Sequence, residues 1–140
     1  MLRYQTSNNI DSILSNGSIQ FTNGIIIESN KSILLLSGQI LELEINYNDK
    51  IINRNEIDIR GLNFLKLINP LPDLLVIGTG KYFRKISMNN INFLQIELGL
   101  KLEISNSINA IKNFDLLSKE RFNGSIMGLI LPLNEGGFNK

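Results

Sequence analysis

Pro70-Leu-Pro-Asp-Leu-Leu-Val-Ile-Gly-Thr-Gly-Lys81 reads as two helix-stopping prolines, a buried strand and a glycine-rich exit. Leu74 to Ile77 is a continuous apolar run of strand length, and such a run fits a strand inside a packed sheet. Before it, Leu62, Leu65 and Ile68 recur at helical spacing, which predicts a short helix over 60–68 that ends ahead of Pro70. After it, Ile91, Leu94 and Leu98 mark one face of a helix, with Ser87 as its expected N-cap and Gly99 at its stop. Lys101 to Ile104 is a strand. Ser107 is the expected cap of another helix, whose stripe is Ala110, Phe114 and Leu117, and Ser125 to Leu131 is a last strand before Pro132.

The first half is strand-rich. Ser18 to Thr22 alternates, Asn23-Gly24 is a strong short hairpin signal, and Ile25 to Ile27 returns. Lys31 to Leu36 and Ile40 to Ile45 are further strands, turned by Ser37-Gly38, and Tyr47 to Lys50 is a turn. Strands followed by an alternation of helix and strand predict one α/β domain of three layers over residues 18–133. A mixed central sheet holds parallel strands at 74–77, 101–104 and 125–131. Helices are expected on one side and the β-hairpin material on the other. Residues 1–17 read as a flexible lead-in and 134–140 as a flexible tail.

Composition narrows the chemistry. The 140 residues include no His, no Cys and no Trp. Imidazole bases, thiolate nucleophiles, disulfides and thiolate zinc sites are therefore excluded. Fourteen basic against thirteen acidic residues leave a net charge of +1, which offers no broad footprint for nucleic acid or an anionic membrane. No apolar run approaches the length of a membrane span, and the N-terminus lacks the apolar core of a secretory signal. The chain holds 23 Ile and 20 Asn; the Asn residues are dispersed among apolar runs, so a core remains available. Sequons at Asn16, Asn30 and Asn123 are what chance gives at that Asn content.

Gly78-Thr79-Gly80-Lys81 is the motif that most resembles a ligand loop. Phosphate loops need glycines for close backbone approach and a helix N-terminus aimed at the anion. This loop lacks the Walker spacing and the third glycine of the dinucleotide fingerprint, and the next helix begins several residues on. Gly78, Thr79 and Gly80 are expected to serve structure instead, letting the chain leave the sheet tightly. Lys81, Arg84 and Lys85 form a small basic cluster beside it. Glu42 and Glu44 share a strand face about 6–7 Å apart, a carboxylate-pair spacing that more often marks a solvated face. Asp115 is expected on a helix surface. No Ser-x-x-Lys occurs. The residues give no catalytic site, no cofactor site and no metal site.

From Pro70 to Pro132 the chain resembles the complex I assembly factor 3 family, the mitochondrial branch of a wider group of small prokaryotic domains. The residues that carry the resemblance are Pro70 to Lys81, Leu98-Gly99-Leu100, Leu102-Glu103-Ile104, Asn106-Ser107, Asn109-Ala110, Asn113 to Leu117, Glu120-Arg121 and Gly128 to Pro132. Phe21 to Gly24 and Leu34 to Gly38 fit its N-terminal strands. The family usually has Asp-Thr in place of Asn106-Ser107, Asn at Asp115, often Cys at Ile111 and often Trp near Leu43. The resemblance implies a non-catalytic factor for the quinone-module arm of respiratory complex I. It would work on the matrix side of the mitochondrial inner membrane, beside a second assembly factor and quinone-module subunits. It would have no transmembrane segment and at most a peripheral membrane association. The alternative is a small-ligand or anion-binding domain, or a cryptic enzyme, using the Gly78–Gly80 loop in the cytoplasm of a prokaryote. The expected partner surface is the Lys81-Tyr82-Phe83-Arg84 loop at the carboxyl end of the sheet, because Tyr, Phe and Arg are enriched in interface centres.

Overall fold

The computed structural model describes residues 2–5, 10–13, 18–21, 26–27, 31–36, 39–43, 51–53, 55–120 and 125–133. The expected turns at Asn23-Gly24, Ser37-Gly38 and Tyr47 to Lys50 lie outside those residues, as do Glu44 and the segment 134–140.

The strands are β1 (Leu2–Gln5), β2 (Ile10–Ile13), β3 (Ile19–Phe21), β4 (Ile26–Ile27), β5 (Ser32–Leu36) and β6 (Gln39–Leu43). They continue with β7 (Ile51–Asn53), β8 (Glu56–Ile57), β9 (Leu74–Gly78), β10 (Lys85–Ile86), β11 (Lys101–Ser105) and β12 (Ile126–Ile130). Six of them form a mixed central sheet in the order β1-β6-β5-β12-β9-β11. β9 runs parallel to both β11 and β12, as the sequence predicts, and β12 is antiparallel to β5. Two small sheets, β10-β8-β7 and β2-β3-β4, flank it. In the second, Ile19 faces Ile27 across the expected hairpin.

The expected lead-in is corrected at its described residues. β1 pairs with β6 from Leu2↔Glu42 to Gln5↔Gln39, and β2 pairs with β3. Both strands are only four residues of mixed polarity, a weak signal in sequence, and backbone pairing to β6 and β3 defines them.

Apolar side chains leave the central strands toward both faces, so each face needs a cover. Leu34, Leu75, Ile77, Met127 and Leu129 pack on one face with Ile57, Leu62, Leu65, Ile86 and Leu94. Ile33, Leu35, Leu74, Val76 and Ile130 pack on the other with Ile19, Ala110 and Ile111. The first cover is a 3-10 helix (Leu62–Leu67), the β10-β8-β7 sheet, and α1 (Met88–Ile91), which continues into a π-helical turn over Asn92–Glu97. The second is α2 (Ser107–Glu120) together with Ile19 of β3.

The α/β fold class and the mixed sheet stand, but the layers are distributed differently from the expectation: helices cover both faces, and the hairpin shares a face with α2. The strand order explains it. The chain crosses from β9 to β11 in one direction and returns past β9 to β12 in the other. Right-handed crossovers in opposite directions place their helices on opposite faces.

Ser87 caps α1 as expected, its Oγ accepting from the Asn90 N–H at 3.3 Å. Leu94 is fully buried while Ile91 and Leu98 are half-buried against the same cluster, so the predicted stripe faces the sheet. Burial of each such aliphatic side chain contributes about 1.5–3 kcal/mol. Asn90 clamps the neighbouring segment, accepting from Ile59 N–H at 2.6 Å and donating to Ile59 C=O at 2.8 Å.

Candidate functional site at the carboxyl end of the sheet

β9 and β11 are parallel neighbours whose onward connections go to opposite faces. In open α/β sheets that divergence opens a crevice beyond the carboxyl ends of the strands, where ligands are commonly held. Here Gly78-Thr79-Gly80 and Ser105-Asn106-Ser107 line the position.

The crevice is closed by the chain itself. Thr79 N–H donates to Ser105 C=O at 2.9 Å, and Gly80 N–H donates to Ser107 Oγ at 2.8 Å. Ser107 N–H returns to Gly80 C=O at 2.8 Å, and Ser107 Oγ donates to Leu131 C=O at 2.7 Å. Leu131 N–H completes the ring on Gly78 C=O at 2.9 Å. Thr79 Oγ1 donates to Tyr82 C=O at 2.7 Å and accepts from Arg84 N–H at 3.1 Å, which fixes the loop that follows. Thr79 and Ser107 are buried. Amides that cradle a phosphate must point at the ligand; those of Thr79 and Gly80 are committed to protein acceptors.

Both glycines serve geometry. Gly80 has a φ of 107°, a conformation that side chains with a Cβ rarely adopt. Gly78 is a contact point: a Cβ there would lie 2.7 Å from both Cα and Oγ of Ser107. On β12, Gly128 likewise leaves room for the Phe114 ring. The two glycines face α2 from adjacent strands and let it settle onto the sheet.

The cap of α2 differs from the expectation. Asn106 caps the helix, its Oδ1 accepting from Asn109 N–H at 2.9 Å, and Ser107 instead turns inward to tie α2 to the Gly80 and Leu131 backbones. Asn106-Ser107 thus retains both chemical functions of an Asp-Thr pair, a capping oxygen followed by a hydroxyl.

The four residues of the expected partner loop part company. Lys81 is exposed, and Tyr82 and Phe83 are 52% and 56% exposed. The Lys81 ammonium stands 5.6 Å from the Tyr82 ring centroid. Arg84 is corrected as a surface residue: it is buried, because Thr79 Oγ1 draws its backbone inward, and β10 begins at the next residue. The basic cluster is accordingly split, with Lys81 and Lys85 outside and Arg84 within. Elsewhere, Asp115 pairs with Lys119 at 3.2 Å on the surface of α2, and Glu42 is half-buried on β6. The described residues bring together no group of three acidic side chains around a metal position. Among them no helix is long and apolar enough to cross a membrane.

Residues 12–130 match a family described as protein of unknown function (DUF498/DUF598). The chain belongs to the DUF498/DUF598 family. Among curated proteins it is similar to NADH dehydrogenase [ubiquinone] 1 alpha subcomplex assembly factor 3 of Xenopus tropicalis, 27% identical over 66 residues. That stretch is 47% of this chain and 36% of the frog protein, so the match spans about a third of the relative's length. The fold is shared with solved prokaryotic structures. An outer membrane protein from Bartonella henselae superposes with a TM-score of 0.63 at 16% identity, covering 92% of this chain and 98% of that one. A Rhodopseudomonas palustris protein gives 0.63 at 15% identity, covering 98% and 95%. A Mth938-like domain of Bordetella pertussis gives 0.59 at 16% identity, covering 90% and 86%. The DUF498/DUF598 fold therefore extends well beyond recognisable sequence similarity.

Proposed function

We propose that this chain is a non-catalytic assembly factor for respiratory complex I. It acts on the peripheral quinone-module arm, on the matrix side of the mitochondrial inner membrane, with a second assembly factor as companion. The observation that carries this reading is the 66-residue similarity to a complex I assembly factor. The closed crevice agrees with it: a chain that fills its own ligand position works through its surface. The alternative use of the Gly78–Gly80 loop for an anion loses its donors, since Thr79 and Gly80 N–H are both consumed internally.

The working surface is the Lys81-Tyr82-Phe83 loop, whose two rings are held outward on a backbone anchored by Thr79. Aromatic side chains that need no reordering make efficient interface anchors. Changing Tyr82 and Phe83 together to Ser is expected to lower recovery of quinone-module subunits or the companion factor in a pull-down from mitochondria. The thermal midpoint should stay nearly unchanged. Full recovery by the double variant would remove this loop from the partner surface.

A further inference from the structure

Among the described residues, no strand lies beyond β11 in the central sheet. Two hydrogen bonds fix which of its backbone groups face inward. Lys101 N–H donates to Asp73 C=O, and Ser105 C=O accepts from Thr79 N–H, both at 2.9 Å. In a parallel ladder the inward residues are then Lys101, Glu103 and Ser105, so Leu102 and Ile104 turn their N–H and C=O groups to the outer edge. An edge of that kind is a template for another strand. Leu102 and Ile104 are also only half-buried, while Lys101 and Glu103 are exposed.

We propose that β11 pairs antiparallel with β11 of a second copy of this chain, centred on Leu102. The sequence Lys101-Leu102-Glu103 is self-complementary in that register. Leu102 exchanges both backbone hydrogen bonds with its own counterpart, and each Lys101 stands directly opposite the other copy's Glu103. Opposite charges at facing positions stabilise antiparallel pairs, and like charges there destabilise them. The charges therefore also exclude the neighbouring register: pairing centred on Glu103 sets the two Glu103 carboxylates against each other. The contact is isologous, closes with two-fold symmetry, and joins two six-stranded sheets through their exposed edges. It covers the half-exposed Leu102 with its own copy. This pairing does not depend on the assembly role, because it rests on the free edge and its charge order alone.

Sedimentation equilibrium of the purified full chain tests it, across a range of protein concentrations at low salt. The wild type is expected to associate to twice its 15.8 kDa mass. Lys101→Glu alone and Glu103→Lys alone should each weaken association about tenfold or more, since each replaces two attractive pairs by two repulsive ones. The double variant K101E/E103K restores the complementarity with the signs exchanged and should regain the wild-type association. Both positions carry solvent-facing charges, so circular dichroism should show an unchanged fold in all three variants. A wild type that stays monomeric overturns the proposal and leaves the edge to a strand from a different protein. Association indifferent to either single substitution, or not regained by the double variant, overturns it as well.

Discussion

Gly78→Val is expected to unfold the domain or bring it close to unfolding. A Cβ at this position meets Ser107 Cα at 2.7 Å and Ala110 Cβ at 3.1 Å. The first of these is helix backbone, which cannot step aside as a flexible side chain would. α2 would have to lift from β9, opening the packing of Ala110 and Ile111 against Val76 and Ile130. Overpacking in a close-packed core costs about 1–3 kcal/mol where side chains can shift, and the cost here should exceed that range. Against a typical total stability of about 5–15 kcal/mol, most of the folded population is at risk. Gly80→Val is expected to cost about 1–3 kcal/mol through the strain of a φ of 107° alone. Urea titration of both variants reads the order directly. A Gly78→Val midpoint equal to that of the wild type would contradict the close approach of α2 to the sheet.

Ser107→Ala carries the second large effect. One hydroxyl accepts from Gly80 N–H and donates to Leu131 C=O, at a position with no solvent exposure. Removing it leaves a buried donor and a buried acceptor, each costing about 1–3 kcal/mol when unsatisfied. The damage should also be local: the Gly80 amide should lose its protection from hydrogen exchange, while amides in the middle of β5 and β12 keep theirs relative to global stability. Unchanged exchange at Gly80 in the Ala variant would show that the hydroxyl is not what closes the crevice.

The central strands were legible because burial writes itself into composition. Ser32–Leu36, Leu74–Gly78 and Ile126–Ile130 are buried almost throughout, and their apolar runs announce it. The α1 stripe and its Ser87 cap were legible from spacing and residue type. β1 was not, since the alternation of Leu2-Arg-Tyr-Gln5 spans only four residues, and its pairing with β6 is purely non-local. The face assigned to each helix was also illegible, because it follows from the strand order and not from either helix's own stripe. Arg84 misled through its charge: a basic residue in a loop reads as exposed, and only the inward pull of Thr79 on its backbone reveals the burial. Ser107 misled through its neighbour. Asn106 and Ser107 are both capping types, and a shift of one position separates the exposed cap from the buried tie.

That buried tie links stability to the proposed role. In this α/β domain the crevice beyond β9 and β11 is occupied by the chain's own backbone and the Ser107 hydroxyl. The Tyr82 and Phe83 rings are presented on a rigid base. Assembly factors act by holding a client, and a rigid, aromatic-bearing loop suits that task at low entropic cost. The most direct measurement is the amount of assembled complex I, by native gel, in source cells from which the gene has been deleted. The account predicts a loss of assembled enzyme with accumulation of incomplete peripheral-arm intermediates, restored by the wild-type chain and not by the Tyr82/Phe83 double Ser variant. Normal levels of assembled complex I in the deletion strain would contradict it.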